Sequence, residues 1–254
     1  MSGGGRTSRM PERLRRRLDP DGRYGLRVTL FAVAFLLVAI PFGLLLAQVE
    51  GNGSLIRMDT WAARHLHDWV RGSDDLVGQL KLLTFFGSPL WFYVIVTPAV
   101  IWVWRRGHPR LAVFLVVTTL GGGLLDTLVK EAVGRPRPSL AEPVATAHGK
   151  SFPSGHAMSS TVVYGSLLLV FLPVIGRRYR PVVLAGTAVF LLAIGFSRLA
   201  LGVHYITDVV GGFVLGAAWL AASIAAFSTW RVERGRPAVD VGEGLEPEAA
   251  DDLV

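Results

Sequence analysis

Six apolar runs separated by short polar segments constrain this chain more than any other feature. They cover residues 28–47, 90–104, 111–129, 157–175, 182–201 and 205–227. Crossing a hydrocarbon core takes about 20 apolar residues in a helix, the conformation in which one segment satisfies its own backbone in lipid. The run at 90–104 is short for this and is expected to borrow from 82–86, with Gly87-Ser88-Pro89 as a break. The run at 28–47 is too long for the apolar part of a signal peptide and is followed by a poor cleavage site, so it reads as an uncleaved anchor. The chain is 51% hydrophobic and 18% charged, with a mean hydropathy of +0.45, which places it in the membrane class. The expected fold is all-α: a bundle of six transmembrane helices, with an interfacial or extracytoplasmic helical segment between helices one and two. Residues 50–86 supply that segment, with Trp61, Trp69, His65 and His67 at loosely amphipathic spacing, although a packed external loop fits the same residues equally well.

The chain divides into a disordered basic tail (1–27), the six-helix domain (28–228) and a disordered acidic tail (229–254). From Val232 onward the sequence holds seven acidic residues and few apolar ones, a composition that favours disorder. The absence of cysteine excludes disulfides, thiolate nucleophiles and cysteine-ligated metal. A pI near 10.3 is compatible with nucleic-acid binding. The basic residues sit between apolar runs, however, so a topological origin is preferred and no nucleic-acid partner is expected. With both termini cytoplasmic, 17 of the 26 Lys and Arg residues fall on the inside and 9 on the outside, as the positive-inside rule requires. The outer exceptions include Lys130, Arg135, Arg137 and Arg198. Cations on the disfavoured side need another reason to be there.

All four belong to three polar clusters on the expected outer face. The first runs from Lys130 to Pro138, the second is Pro153-Ser154-Gly155-His156, and the third runs from Ser197 to Asp208. Ionisable groups beside a bilayer are costly and are functional candidates by default. Clustered cations with two histidines suit an anionic substrate, most simply a phosphate. His204 and Asp208, four residues apart, share a face if a helix starts near His204. The carboxylate then orients the imidazole as in nucleophile–base units, although an ordinary ion pair at a helix start fits the same spacing. Ser154 and Gly155 read as a helix N-terminus that binds an anion, or equally as a plain loop-to-helix junction. His156 in the first turn is placed to protonate a leaving oxygen. Lys130 offers a point charge and Arg137 a planar fork for phosphate oxygens, and Arg198 is a further candidate. The bland reading of these cations is that they end helices. Asp126, one turn before Lys130, is its natural ion-pair partner.

The pattern K-x6-R-P, P-S-G-H and S-R-x5-H-x3-D resembles the type-2 phosphatidic acid phosphatase superfamily. It is carried here by Lys130, Arg137-Pro138, the 153–156 motif, Ser197-Arg198, His204 and Asp208, and extends over about residues 28–228. In the doubled Arg135-Pro136-Arg137-Pro138, the family spacing selects Arg137 and leaves Arg135 a secondary contact. The resemblance implies that His204 forms a phosphohistidine, oriented by Asp208. His156 then acts first as acid and next as base. Lys130, Arg137, Arg198, Ser154 and Gly155 hold the phosphoryl oxygens, with no metal or other cofactor. The implied activity is a phosphatase of membrane lipid phosphates or diphosphates (prenyl diphosphate, phosphatidate or phosphatidylglycerophosphate), acting at the extracytoplasmic face of the cell membrane. The rival readings are a lipid phosphotransferase using the same intermediate, a metal-dependent hydrolase built on His156, His204 and Asp208, a vanadate-binding relative of the same superfamily, and a transporter with an anion site.

Overall fold

The computed structural model describes residues 54–254, together with the single residue Gly43. The expected basic tail and, apart from Gly43, the first apolar run therefore lie outside the described residues. Seven α-helices follow: α1 (Ser54–Val70), α2 (Asp74–Phe85), α3 (Pro89–Arg105), α4 (Pro109–Val133), α5 (Gly155–Phe171), α6 (Arg180–Ala200) and α7 (Ile206–Glu233). Counting α2 and α3 as one stretch, five helical segments are long and apolar enough to cross a membrane. Large apolar side chains stay exposed along them, including Leu90 and Tyr93 on α3, Leu120, Leu124 and Leu128 on α4, and Val189 and Leu192 on α6. Helices that are apolar on the outside as well as the inside suit a lipid surround.

Local chemistry sets the boundaries. Ser73 caps α2 by accepting from Leu76 N, ahead of Asp74 and Asp75 in the first turn. Ser88 accepts from Trp91 N and Pro89 opens α3, so the Gly87-Ser88-Pro89 break expected from the sequence is where α2 gives way to α3. Gly134 ends α4 in the left-handed region at φ 66°, a conformation that suits a residue without Cβ. The break between α2 and α3 is fastened to α5, because Tyr164 Oη donates to Phe86 O and accepts from Trp91 Nε1.

α5 is the most buried of the spans and packs most closely against α7. A Cβ on Gly212 of α7 would lie 2.6 Å from Ser154 O, and one on Gly216 would lie 2.8 Å from Met158 O. Two glycines four residues apart thus bring the backbones together, as small residues do between membrane helices. At the other end of α5, Leu169, Val170, Leu111, Phe114, Leu115 and Phe227 form the main apolar cluster.

Residues 229–254, expected as a disordered acidic tail, lie against the bundle in the structure. α7 continues to Glu233, and the chain beyond it folds back onto the end of the bundle. Leu245, Ala249 and Leu253 are buried in the main apolar cluster, and Leu245 N donates to Leu169 O. The tail's acids meet cations at the helix ends: Glu246 and Glu248 meet Arg231 and Arg236, and Glu243 meets Arg177 and Arg180. A composition count treats those acids as mutually repelling. In the folded chain their charge is complemented, and every fourth residue from Leu245 supplies an apolar anchor.

Candidate active site

One end of the bundle gathers the C-terminal ends of α4 and α6 and the N-terminal ends of α5 and α7, with α1 packed across α6 and α7. The three polar clusters therefore meet there. His204 is 2% exposed and Asp208 is fully buried. His204 Nδ1 lies 3.3 Å from Asp208 Oδ2, the i,i+4 contact anticipated from spacing, although α7 begins two residues later than His204. Arg137 Nη1 is 3.0 Å from His204 Nε2. A guanidinium can only donate, so Nε2 accepts and the imidazole proton sits on Nδ1, toward Asp208. Burial pushes the His204 pKa down to about 4 against the pull of Asp208, so at neutral pH the ring is uncharged with its Nε2 lone pair aimed into the site.

Arg137 is clamped by three carbonyls: Nε donates to Gly149 O, Nη2 to His148 O, and Nη1 to Val203 O as well as to His204. Burial lowers its pKa from the ordinary value while Asp208 and Asp126 support the charge. Arg198 is 7% exposed; its Nη1 donates to Thr84 Oγ1 on α2, while its Nε finds no partner among the described residues. Ser154 stands at the N-cap position of α5, but its hydroxyl makes no capping bond. The side chain is fully buried, and Oγ is unpaired among the described residues. The side-chain cap is thus absent and the hydroxyl remains available. Buried polar atoms are normally satisfied, so unpaired donors such as these call for a ligand or water.

Lys130 Nζ pairs with Asp126, as the spacing suggested. The pair passes directly over Gly155, where a Cβ would lie 2.6 Å from Nζ and 3.0 Å from Asp126 Oδ2. The bare backbone at Gly155 therefore admits the ammonium to the start of α5. His156 follows in the first turn of that helix, within electrostatic range of Arg198, His204, Lys130 and Arg137. Every residue singled out in the three motifs is drawn into this cluster.

Four further residues support it. Ser151 Oγ and Tyr205 N both donate to Asp208 Oδ2. Arg135 reaches Asp208 rather than the space beside Nε2: Nη1 donates to Asp208 Oδ1 and to Thr207 Oγ1. Asp59 of α1, 1% exposed, accepts from Arg135 Nη2 at 2.8 Å and from Thr207 N at 3.1 Å. Asp59 had a readable signal. It lies in register with Ala62, Ala63, His67 and Val70 on the buried face of α1, and an acid on such a face needs a partner.

The PAP2 superfamily sequence model matches residues 111–232. Phosphatidylglycerophosphatase B of Bacillus subtilis is 36% identical over 141 residues, which are 54% of this chain and 62% of that protein. Lipid A 1-phosphatase of Rhizobium johnstonii is 29% identical over 161 residues, again 54% and 62%. Lipid A 4'-phosphatase of Bacteroides thetaiotaomicron is 28% identical over 198 residues, covering 65% of this chain and 85% of its own. The chain thus spans under two thirds of the length of the first two curated relatives. The crystal structure of a transmembrane PAP2-type phosphatidylglycerolphosphate phosphatase from Bacillus subtilis superposes with a TM-score of 0.65 at 25% identity, covering 78% of this chain and 93% of the other. Residues 111–232 resemble the PAP2 superfamily, and the chain is a multi-pass membrane protein.

Proposed function

We propose that this protein hydrolyses membrane lipid phosphates or diphosphates through a phosphohistidine on His204. The observation that carries the reading is a pair of buried donors unpaired among the described residues, Ser154 Oγ and Arg198 Nε, beside the cations Lys130 and Arg137 and a neutral imidazole held by a carboxylate. A dianionic phosphoryl group matches that charge, and fixed donors in a water-poor site stabilise its transition state strongly. His204 Nε2 attacks phosphorus in line, forming the N–P bond as the P–O bond to the lipid breaks. His156 gives its proton to the departing oxygen. It then takes one from the water that cleaves the N–P bond, releasing inorganic phosphate and restoring His204.

The names of the relatives point to lipid phosphates as the substrate class. A groove of about 720 Å³ between α3, α4 and α5 supports the same conclusion. It is lined by apolar residues such as Phe92, Val96, Val116, Leu120 and Val162 and ends at Asp126, the partner of Lys130. It would take the lipid chain while the headgroup reaches the cations. The excess of Lys and Arg on the opposite side supports an extracytoplasmic site. The test is phosphate release from prenyl diphosphate, phosphatidate and phosphatidylglycerophosphate by purified wild type and His204→Ala. Loss of about a thousandfold or more in kcat is expected, by analogy with removal of any nucleophile–base member. Retention of near-wild-type turnover by the variant rules out the nucleophile assignment.

A further inference from the structure

The three motifs leave one buried ionic chain unexplained. Asp59 is on α1, outside every motif, and is 148 residues from Thr207, whose backbone N–H and hydroxyl it accepts. Arg135 is the arginine that the family spacing does not select. Its side chain is 9% exposed, it bridges Asp59 and Asp208 through separate nitrogens, and its guanidinium lies 4.2 Å from the centre of the Tyr205 ring. A guanidinium whose donors serve two carboxylates and a hydroxyl is poorly placed to bind phosphate as well. Burying two carboxylates and one arginine is costly unless geometry returns something for it.

We infer that Asp59 and Arg135 are positioning residues for His204, an Asp59–Arg135–Asp208 bridge holding the Asp208 carboxylate against Nδ1 and balancing its charge. This rests on the phosphohistidine reading above. Asp208 Oδ2 already meets Ser151 Oγ, Tyr205 N and His204 Nδ1, so it is the Oδ1–Arg135 contact that sets the rotation of the carboxylate. Asp59 in turn holds Arg135 and the first turn of α7, the turn that carries Asp208. The chain therefore ties the nucleophile to α1, a helix that contributes no residue to the phosphate site.

The groups that face His204 are Asp208 from α7, Arg198 from α6, His156 from α5, and Arg137 and Ser151 from the α4–α5 connection. Of the charges, only Asp208 favours a protonated His204, and Arg135 offsets it from behind. Removing Arg135 strips that offset, so the imidazolium becomes easier to form and the acid limb of kcat/KM moves to higher pH. Removing Asp59 as well deletes one charge of each sign and moves the limb back.

The experiment measures kcat, KM and the pH profile of phosphate release from phosphatidylglycerophosphate in detergent micelles. The proteins are wild type, Arg135→Gln, Asp59→Asn, Arg135→Lys, the Asp59→Asn/Arg135→Gln double variant and His204→Ala. Arg135→Gln should lower kcat by roughly tenfold to a hundredfold, the scale of a small misplacement, with KM within about twofold of wild type. Its acid limb should rise on the order of one pH unit. The double variant should return most of that shift without recovering kcat. Arg135→Lys, which keeps the charge but cannot bridge, should show a near-wild-type limb and a low kcat. The inference is overturned if His204→Ala is inactive while Arg135→Gln and Asp59→Asn keep both the wild-type limb and the wild-type kcat. It is also overturned if the losses fall on KM. Should Arg135→Gln fail to fold, Asp59→Asn decides alone: reduced kcat at unchanged KM supports the bridge, and wild-type kcat removes it. An active His204→Ala would instead sink the nucleophile reading, and the bridge with it.

Discussion

At the scale of single residues, two basic side chains two positions apart have unlike surroundings. Arg137 is held by three carbonyls and touches His204 Nε2, whereas Arg135 is turned to Asp59 and Asp208. Lysine cannot reproduce the Arg137 clamp, because a point charge lacks the planar fork that spans those acceptors. Arg137→Lys is therefore expected to raise KM about tenfold or more while the enzyme still folds, as initial rates across substrate concentration will show. His204 sets the pH behaviour. Burial holds its pKa near 4, so acid inactivation should enter near that pH rather than near the ordinary 6.5. Stability follows the same sign. The unfolded chain takes up this proton below about 6.5 and the folded chain only near 4, so stability falls as pH drops between those values. Thermal midpoints from pH 7 to pH 4 check this: His204→Asn should flatten the acid-side loss, and an unchanged slope would contradict it.

At the scale of elements, the site is an intersection of helix ends, and its precision depends on how closely α5 and α7 approach. Gly212 lies against Ser154 O, Ala157 and Met158 N, so a larger residue there would push the start of α5 away from Asp208. Ser154 N donates to Asp208 O across this contact. Gly212→Val is expected to cost about 1–3 kcal/mol of stability through overpacking and to reduce kcat at least tenfold. Gly186→Ala, whose Cβ would have open space in the same fold, should leave both unchanged. Denaturation midpoints and turnover of the two variants make the comparison. The 204–208 pair, the 126–130 pair and the 87–89 break all follow from local geometry. Asp59, Ser151, Thr207 and Thr84 were not legible as partners, because their contacts cross 57 to 148 residues of sequence.

At the scale of the whole molecule, α7 links two polar ends about 42 Å apart, taking 28 residues at 1.5 Å each. One end holds the His204–Asp208 cluster and the other a buried ionic knot in which Arg231 and Glu246 are each 2% exposed. Breaking a buried pair from one side leaves a stranded charge, at a cost of about 3–5 kcal/mol in well-studied cases. Glu246→Ala should therefore shorten the half-life for thermal inactivation markedly, because among the described residues Arg231 would retain only Glu248 and the Pro237 carbonyl. The turnover of protein that remains folded should match wild type, since the knot is a helix length from His204. Lowered turnover per folded molecule would show instead that the two ends are coupled.

Features that depend on neighbours along the chain can be read from residue order. The length and apolarity of the runs dictate membrane-spanning helices, since a backbone in lipid must satisfy itself locally. Short-range spacing dictates which residues share a helix face, and the three motifs supplied the chemistry of the site. Only the fold sets which arginine meets His204 and which meets Asp208. It also decides that α1 holds Asp208 from outside the motifs and that the acidic tail folds onto the bundle. Those outcomes depend on contacts between residues far apart in sequence, among them Arg135–Asp208, Asp59–Thr207 and Leu245–Leu169. A buried charge is tolerated only beside its partner, and no local pattern names a partner that folding brings from a distant part of the chain.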